Sequence, residues 1–227
     1  MKRRQKGFTL AEVLITLVII GVIGALTVPS LIQNTQKQEY VTALKKTYST
    51  LSQVMQMIIA EEGSPKCLDE NGNESGWACS NTDVYNIFKK YLNNASECGT
   101  NGTAGCAHQG KVKFLNNAPD AQLWQDGGYS RLILADGVQI YFVGASKNCT
   151  QEQWGVSSGC GAVVADTNGA KKPNQWGRDT FLFGFNEKGL HLSGCKNNSS
   201  DCVQANGSFG NGWTCACKVI TENAMNY

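Results

Sequence analysis

From Phe8 to Val28 the chain runs for 21 residues in which Glu12 is the only ionisable side chain. As a helix rising about 1.5 Å per residue, that run is roughly 31 Å long, enough to cross a hydrocarbon core of about 30 Å. Lys2, Arg3, Arg4 and Lys6 precede it, four positive charges ahead of Gly7. A basic flank of this kind stays in the cytoplasm and sends the following chain across the membrane. Any water-soluble fold must therefore be built from the residues after the run.

Three readings compete for the segment. A secretory signal peptide shares the basic start, but its apolar core is only about 7–15 residues long and ends at a small-x-small cleavage site. Here the run is too long, Glu12 stands at its front, and no convincing A-x-A precedes Pro29. A plain anchor fits the length and leaves Glu12 without a role, although a carboxylate at a membrane centre costs about 2.5–3.5 kcal/mol. Glu12 lies about one turn from the cytoplasmic end, where the cost is smaller but still invites a partner. In the third reading the chain is cut after Gly7, so that Phe8 becomes the N-terminus and Glu12 its fifth residue. The carboxylate then neutralises a free amine, on its own chain or on a neighbour's.

The string Lys6-Gly7-Phe8-Thr9-Leu10-Ala11-Glu12, continuing apolar to Pro29, resembles the class III signal of type IV pilins and type II secretion pseudopilins. The match extends to Gly21 and Pro29, where many family members carry Gly and Pro. The resemblance implies that a prepilin peptidase cleaves between Gly7 and Phe8 and N-methylates Phe8. It implies that Glu12 pairs with the Phe8 amine of an adjacent subunit during assembly. The implied partners are that peptidase, an inner-membrane assembly platform and other pilin or pseudopilin subunits. The implied location is the inner (cytoplasmic) membrane, single-pass, with the head outside the cytoplasm, then a filament or the cell surface.

Removing Met1–Gly7 takes four of the 20 basic residues and leaves 16 against 18 acidic. No basic stripe remains, so no nucleic-acid partner is expected. All ten cysteines, Cys67, Cys79, Cys98, Cys106, Cys149, Cys160, Cys195, Cys202, Cys215 and Cys217, lie beyond the span. An even count confined to the exported part reads as a disulfide framework in an oxidising compartment. Zinc is disfavoured by the lack of a C-x-x-C pair and by two isolated histidines, His108 and His191. Cys67–Cys79, Cys98–Cys106 and Cys149–Cys160 each bracket a polar loop and are expected to staple it. A bond inside Cys215-Ala216-Cys217 would be strained. As strand residues both would face one side, so bonds from both to Cys195 and Cys202 are preferred.

The segments read as a leader (1–7), a membrane helix (8–30), its amphipathic continuation (31–63) and a head (64–227). From Gln36 to Glu62 apolar residues recur in steps of three and four through Leu44, Tyr48, Leu51 and Ile58. Gly63-Ser64-Pro65 ends the helix, and Pro29 is expected to interrupt or kink it. Thr82 is read as the cap of a second helix running to Asn93-Asn94. Lys111–Leu115 alternates like a strand. Arg131–Ala135 and Val138–Val143 flank Asp136-Gly137 as a hairpin. Phe181–Phe185 and Leu190–Leu192 form another, and Trp213–Ile220 is expected to add a last strand. A long N-terminal helix followed by an antiparallel sheet is an α+β fold.

The loop from Asp166-Thr167-Asn168-Gly169 to Pro173-Asn174 and Asp179 begins like a calcium loop but fails the EF-hand pattern at Ala170 and Gly177. It resembles a D-x-N-G…P-N-x-x-G-x-D loop of pilin-like proteins, some of which bind calcium in this region. That resemblance makes Asp166, Asn168 and Asp179 candidate calcium ligands, though Asn168-Gly169 and Pro173-Asn174 read more simply as turns. No other cofactor and no catalytic set is expected. The N-x-S/T triplets at Asn94, Asn101, Asn148 and Asn206 read as chance in an Asn-rich chain. Trp77, Trp124, Trp154 and Trp176 are expected to pack loops rather than form a binding surface. The expected function is a structural, non-enzymatic subunit of a type IV pilus or secretion pseudopilus. The large, cysteine-rich head leans towards a minor component. The alternative is a membrane-anchored adhesin that never enters a filament.

Overall fold

The computed structural model describes residues 7–67, 76–78, 80–92, 96–98, 112–120, 130–144, 149, 159–195, 202 and 212–227. The chain divides into two units, Met1–Glu39 and Tyr40–Tyr227. Helix α1 spans Leu10–Glu62. In the first unit no residue from 7 to 39 is buried, and the apolar side chains Leu14, Ile15, Leu17, Val18 and Ile20 all stand bare. By length and composition α1 qualifies as a membrane span. Pro29 lies inside the helix without breaking it, contrary to the expected interruption. A proline removes one rung of the ladder, and the surrounding turns keep theirs.

In the second unit, α1 buries Val41, Leu44, Thr47, Leu51, Val54, Met55 and Ile58, the apolar stripe of a helix packed on one face. Gly63 closes α1 with φ +77°, its N–H donating to the Ile59 carbonyl at 3.1 Å. Helix α2 spans Asn81–Tyr91. Its cap is Ser80, not the expected Thr82: the Ser80 hydroxyl accepts from the Asp83 N–H at 3.2 Å. Asp83, three residues on, makes Ser80 the better capping site because its carboxylate also takes the Ser80 hydroxyl proton, at 2.8 Å.

Among the described residues six strands follow: β1 (Ser96–Glu97), β2 (Ser130–Ile133), β3 (Gln139–Gly144), β4 (Gly161–Asp166), β5 (Thr180–Asn186) and β6 (Gly189–Leu192). They form one antiparallel sheet in sequence order. The β2–β3 turn is closed by the Gly137 N–H to the Leu134 carbonyl at 2.9 Å, with Gly137 at φ +88°, as Asp-Gly requires. On one face Leu132, Ile140, Phe142, Val163, Phe181, Phe183 and Phe185 share a core with α2 and the second-unit part of α1. Tyr48 stacks on Phe183 at 5.9 Å. On the other face Tyr141, Val164 and Leu182 pack with Val112, Trp176 and Trp213. Both faces being covered, β4 and β5 are buried at every residue.

Two strand expectations fail. Trp213–Ile220 does not form a strand; helix α3 spans Cys215–Glu222. Its inward side chains are Cys215, Ala216 and Val219, a helical spacing that coexists with the misleading period of two. In the expected strand Lys111–Leu115, the described residues 112–115 form no strand either. Lys113 makes isolated bridges to Pro119 and Gln175, because this segment lies over the sheet rather than extending it. Trp77 and Trp176 are core residues, while Trp124, Trp154, His108 and the four N-x-S/T asparagines lie outside the described residues.

Disulfides join Cys149 to Cys160, Cys195 to Cys217 and Cys202 to Cys215. Cys67 and Cys98 are also disulfide-bonded; Cys79 and Cys106, their expected partners, lie outside the described residues.

Candidate functional site

The first unit presents one polar device on an apolar rod. Gly7, Phe8 and Thr9 precede α1 without helical structure, and the Phe8 side chain is 88% exposed. The Glu12 carboxylate accepts from the Thr9 N–H at 2.8 Å and from the Thr9 hydroxyl at 2.9 Å. In return the Glu12 N–H donates to the Thr9 hydroxyl oxygen at 3.3 Å. This is a reciprocal capping box, which satisfies backbone donors that a helix start leaves unpaired. The T-x-x-E spacing is the sequence signal for it. Farther along, the hydroxyls of Thr16, Thr27, Ser30 and Thr35 each donate to a carbonyl about one turn back. Internal satisfaction of this kind suits an environment without water.

The second unit holds a buried acidic corner. Asp166 ends β4 and pairs in register with Thr180 of β5, so Asp179 lies beside it across the ladder. Thr167 fastens the corner, its N–H and hydroxyl donating to the Asp179 carbonyl at 2.7 and 3.0 Å. Asp179 organises the intervening loop: its carboxylate accepts from the Asn174 N–H at 2.7 Å and the Gln175 N–H at 2.6 Å. The Asp166 carboxylate accepts from the Asn168 N–H at 3.3 Å.

Both aspartates are fully buried. Burial, reinforced by the Asp179 charge, pushes the Asp166 carboxyl up to about 9. Burial also raises Asp179, with the backbone hydrogen bonds from Gln175 and Asn174 pulling the other way. The side-chain oxygens of Asn168 and Asn174 are buried and accept no hydrogen bond among the described residues. Buried amide oxygens beside two carboxylates are a donor set that fits a hard cation. Among the described residues no group of three or more His, Cys, Asp or Glu is arranged for a metal. The turns expected at Asn168-Gly169 and Asn174 are also present, with Gly169 at φ +67° and Asn174 at φ +52°. These turns fall among the residues named as candidate calcium ligands.

His191, on β6, shares a hydrogen bond of 2.8 Å with the Asn186 side chain. Burial, then the nearby Lys188 charge, lowers its pKa.

Residues 2–28 match the prokaryotic N-terminal methylation motif. Residues 30–198, more than half of the chain, match a family of unknown function (DUF6613). The type II secretion system core protein G of Dickeya chrysanthemi is 41% identical over 54 residues, covering 24% of this chain and 35% of that protein. The protein of the same description from Aeromonas hydrophila is 50% identical over 38 residues, 17% of this chain and 27% of that protein. The likeness thus spans about a third of these relatives' length or less. No solved structure shows a significant match.

Proposed function

Since the chain belongs to the family of unknown function (DUF6613) and carries the prokaryotic N-terminal methylation motif at residues 2–28, we propose that it is a type IV pilin or pseudopilin, a structural subunit of a pilus or pseudopilus. In this reading it is made as a membrane-inserted precursor, cut by a prepilin peptidase after Gly7 and N-methylated at Phe8. The assembly platform then draws it into a filament held together by N-terminal helices. The observation that carries the proposal is the bare apolar surface of residues 8–32, with Phe8, Leu10, Leu26 and Leu31 all strongly exposed. So much uncovered apolar surface needs lipid before assembly and neighbouring copies after it. In the filament the Glu12 carboxylate exchanges its contact with Thr9 for the Phe8 amine of the adjacent subunit. The head lies outside the cytoplasm, where its disulfides persist.

Mass spectrometry of the mature N-terminus tests this reading. N-methyl-Phe8 supports it, while an intact Met1 or a cut near Pro29 overturns it. A chain that keeps Met1 yet still displays its head at the surface points instead to an anchored adhesin.

A calcium ion belongs to the same proposal, held by the carboxylates of Asp166 and Asp179 with the side-chain oxygens of Asn168 and Asn174. Bound there, it would supply the charge that two adjacent buried carboxylates lack and would lock the loop between β4 and β5.

A further inference from the structure

Helix α3 carries two cysteines, and each bonds to a different residue of the segment ahead of it. Cys215 and Cys217 are the first and third residues of α3. At 3.6 residues per turn their side chains leave the helix about 200° apart. Cys215 turns inward and is fully buried with its partner Cys202. Its sulfur leaves no room on that side: a Cβ at Gly177 would lie 2.9 Å from it. Cys217 is half-buried, and its partner Cys195 is exposed. The result is an inner, sealed bond nested within an outer, accessible one.

Chain entropy does not select this arrangement. The native bonds span separations of 22 and 13 residues, whereas the crossed pairing (Cys195 with Cys215, Cys202 with Cys217) spans about 20 and about 15, and closure entropy depends only on the logarithm of loop length. The choice between the two rests on the helical turn that separates Cys215 from Cys217. It therefore exists only once α3 has formed and docked, which an eight-residue helix does not do alone in water. An oxidant acting on the reduced, unfolded chain meets ten thiols, these four among them, with no rule for pairing these four.

We propose that the native pairing of these four cysteines is reached by thiol–disulfide exchange, and that a protein carrying a catalytic dithiol is a folding partner of this chain. In a crossed isomer the partner's thiolate attacks one sulfur of a wrong bond. That S–S bond breaks, its electron pair leaves on the released cysteine thiolate, and a mixed disulfide holds the partner. The released thiolate attacks the second wrong bond, which forms one native bond and frees that bond's other cysteine as a thiolate; this thiolate attacks the mixed disulfide, forms the second native bond and expels the partner's thiolate. No net electrons are consumed. Of these two bonds, Cys195–Cys217 is the one that stays open to such attack in the finished fold. Cys217, in the first turn of α3, is its better leaving group, because a helix N-terminus stabilises a thiolate.

The inference rests on export of the head to an oxidising compartment, but its test does not. The full-length chain, reduced and denatured and then returned to detergent micelles, is oxidised with a small-molecule oxidant alone or with glutathione buffer plus a disulfide isomerase. Peptide mapping reads the bonds. With oxidant alone the crossed pairing is expected within tenfold of the native one, and with the isomerase the native pairing predominates. Native pairing more than tenfold in excess without the isomerase overturns the proposal, as does a ratio the isomerase leaves unchanged. A C195S/C217S variant forms Cys202–Cys215 with or without the isomerase if the proposal holds, and continued dependence overturns it. Failure here with N-methyl-Phe8 present refutes the exchange step and leaves the filament reading intact.

Discussion

The Glu12 carboxylate grips the Thr9 backbone N–H at 2.8 Å and the Thr9 hydroxyl at 2.9 Å, and the Glu12 N–H returns a bond to that hydroxyl. The one carboxylate of the apolar run is therefore engaged within its own chain. A capping role and a charge-pairing role make different demands on position 12, and the two can be separated. Glu12→Gln keeps an acceptor for the cap and removes the charge. The filament proposal expects both this variant and Glu12→Ala to enter the membrane normally and to disappear from sheared filaments. Blots of membrane and sheared fractions read the result. Filaments at ordinary yield from Glu12→Gln would reduce Glu12 to a helix cap.

Thr9→Val removes the hydroxyl while leaving the backbone N–H to Glu12. Loss of a capping side chain costs about 0.5–2 kcal/mol of helix stability. The expected effect is fraying of the first turn of α1, read as faster amide exchange at Ala11 and Glu12 in micelles. Unchanged exchange there would show that the hydroxyl contributes nothing to the cap.

The acidic corner predicts a pH dependence whose sign is unusual for carboxylates. Asp166 titrates at about 9 in the fold because of burial and the Asp179 charge, against 3.8 for an ordinary aspartate. The folded state then holds a proton that the unfolded state has released. The associated stability is fully present below about pH 4 and is lost as pH rises towards 9. In chelator the melting temperature should therefore fall across that interval, and millimolar calcium should restore it most at the alkaline end. A melting temperature indifferent to calcium at pH 8 would remove the cation from the proposal.

Asp179→Ala deletes the acceptor of two backbone hydrogen bonds to Asn174 and Gln175. Each buried donor left unpaired costs about 1–3 kcal/mol. Chemical denaturation should show a loss of several kcal/mol, well beyond that of a surface substitution such as Lys171→Ala. Equal effects would mean that the loop is organised by other contacts.

The Cys149–Cys160 bond closes a separation of 11 residues. Loop entropy assigns it about 3 kcal/mol. The C149S/C160S variant should unfold at correspondingly lower denaturant while keeping the other bonds, as mapped by peptide analysis. A midpoint unchanged from the parent would show that β3 and β4 hold the connection closed without it.

Where residues act locally, the sequence was legible. The Asp136-Gly137 turn, the β5–β6 hairpin and the end of α1 at Gly63 all follow from backbone preferences of the residues that make them. Strand β4 was not legible, although it lies at the centre of the sheet. Its Gly-Ala-Val-Val-Ala run has no alternation because both of its faces are covered, and the signal for a half-exposed strand vanishes there. Helix α3 was misread for a related reason. Trp213, Cys215, Cys217 and Val219 alternate in sequence, but the side chains that docking buries in α3 are Cys215, Ala216 and Val219.

The acidic corner divides in the same way. Asp166 and Asp179 stood out by residue type and spacing. Their burial, and the buried amide oxygens of Asn168 and Asn174 beside them, depend on β4 and β5 being neighbours with both faces covered.

From the sequence alone came what hydropathy and charge set along a continuous stretch of chain. That includes a membrane-length apolar run behind a basic leader, a single carboxylate at its start, an amphipathic continuation and an even set of cysteines beyond it. Hydropathy and charge act residue by residue along the chain, so their consequences need no fold to be read. Tertiary structure alone decided which carboxylates lose water, which cysteine of α3 faces inward and which strands have no exposed face. Each of these depends on what the rest of the chain brings against a residue from a distance, and burial is a property of that company.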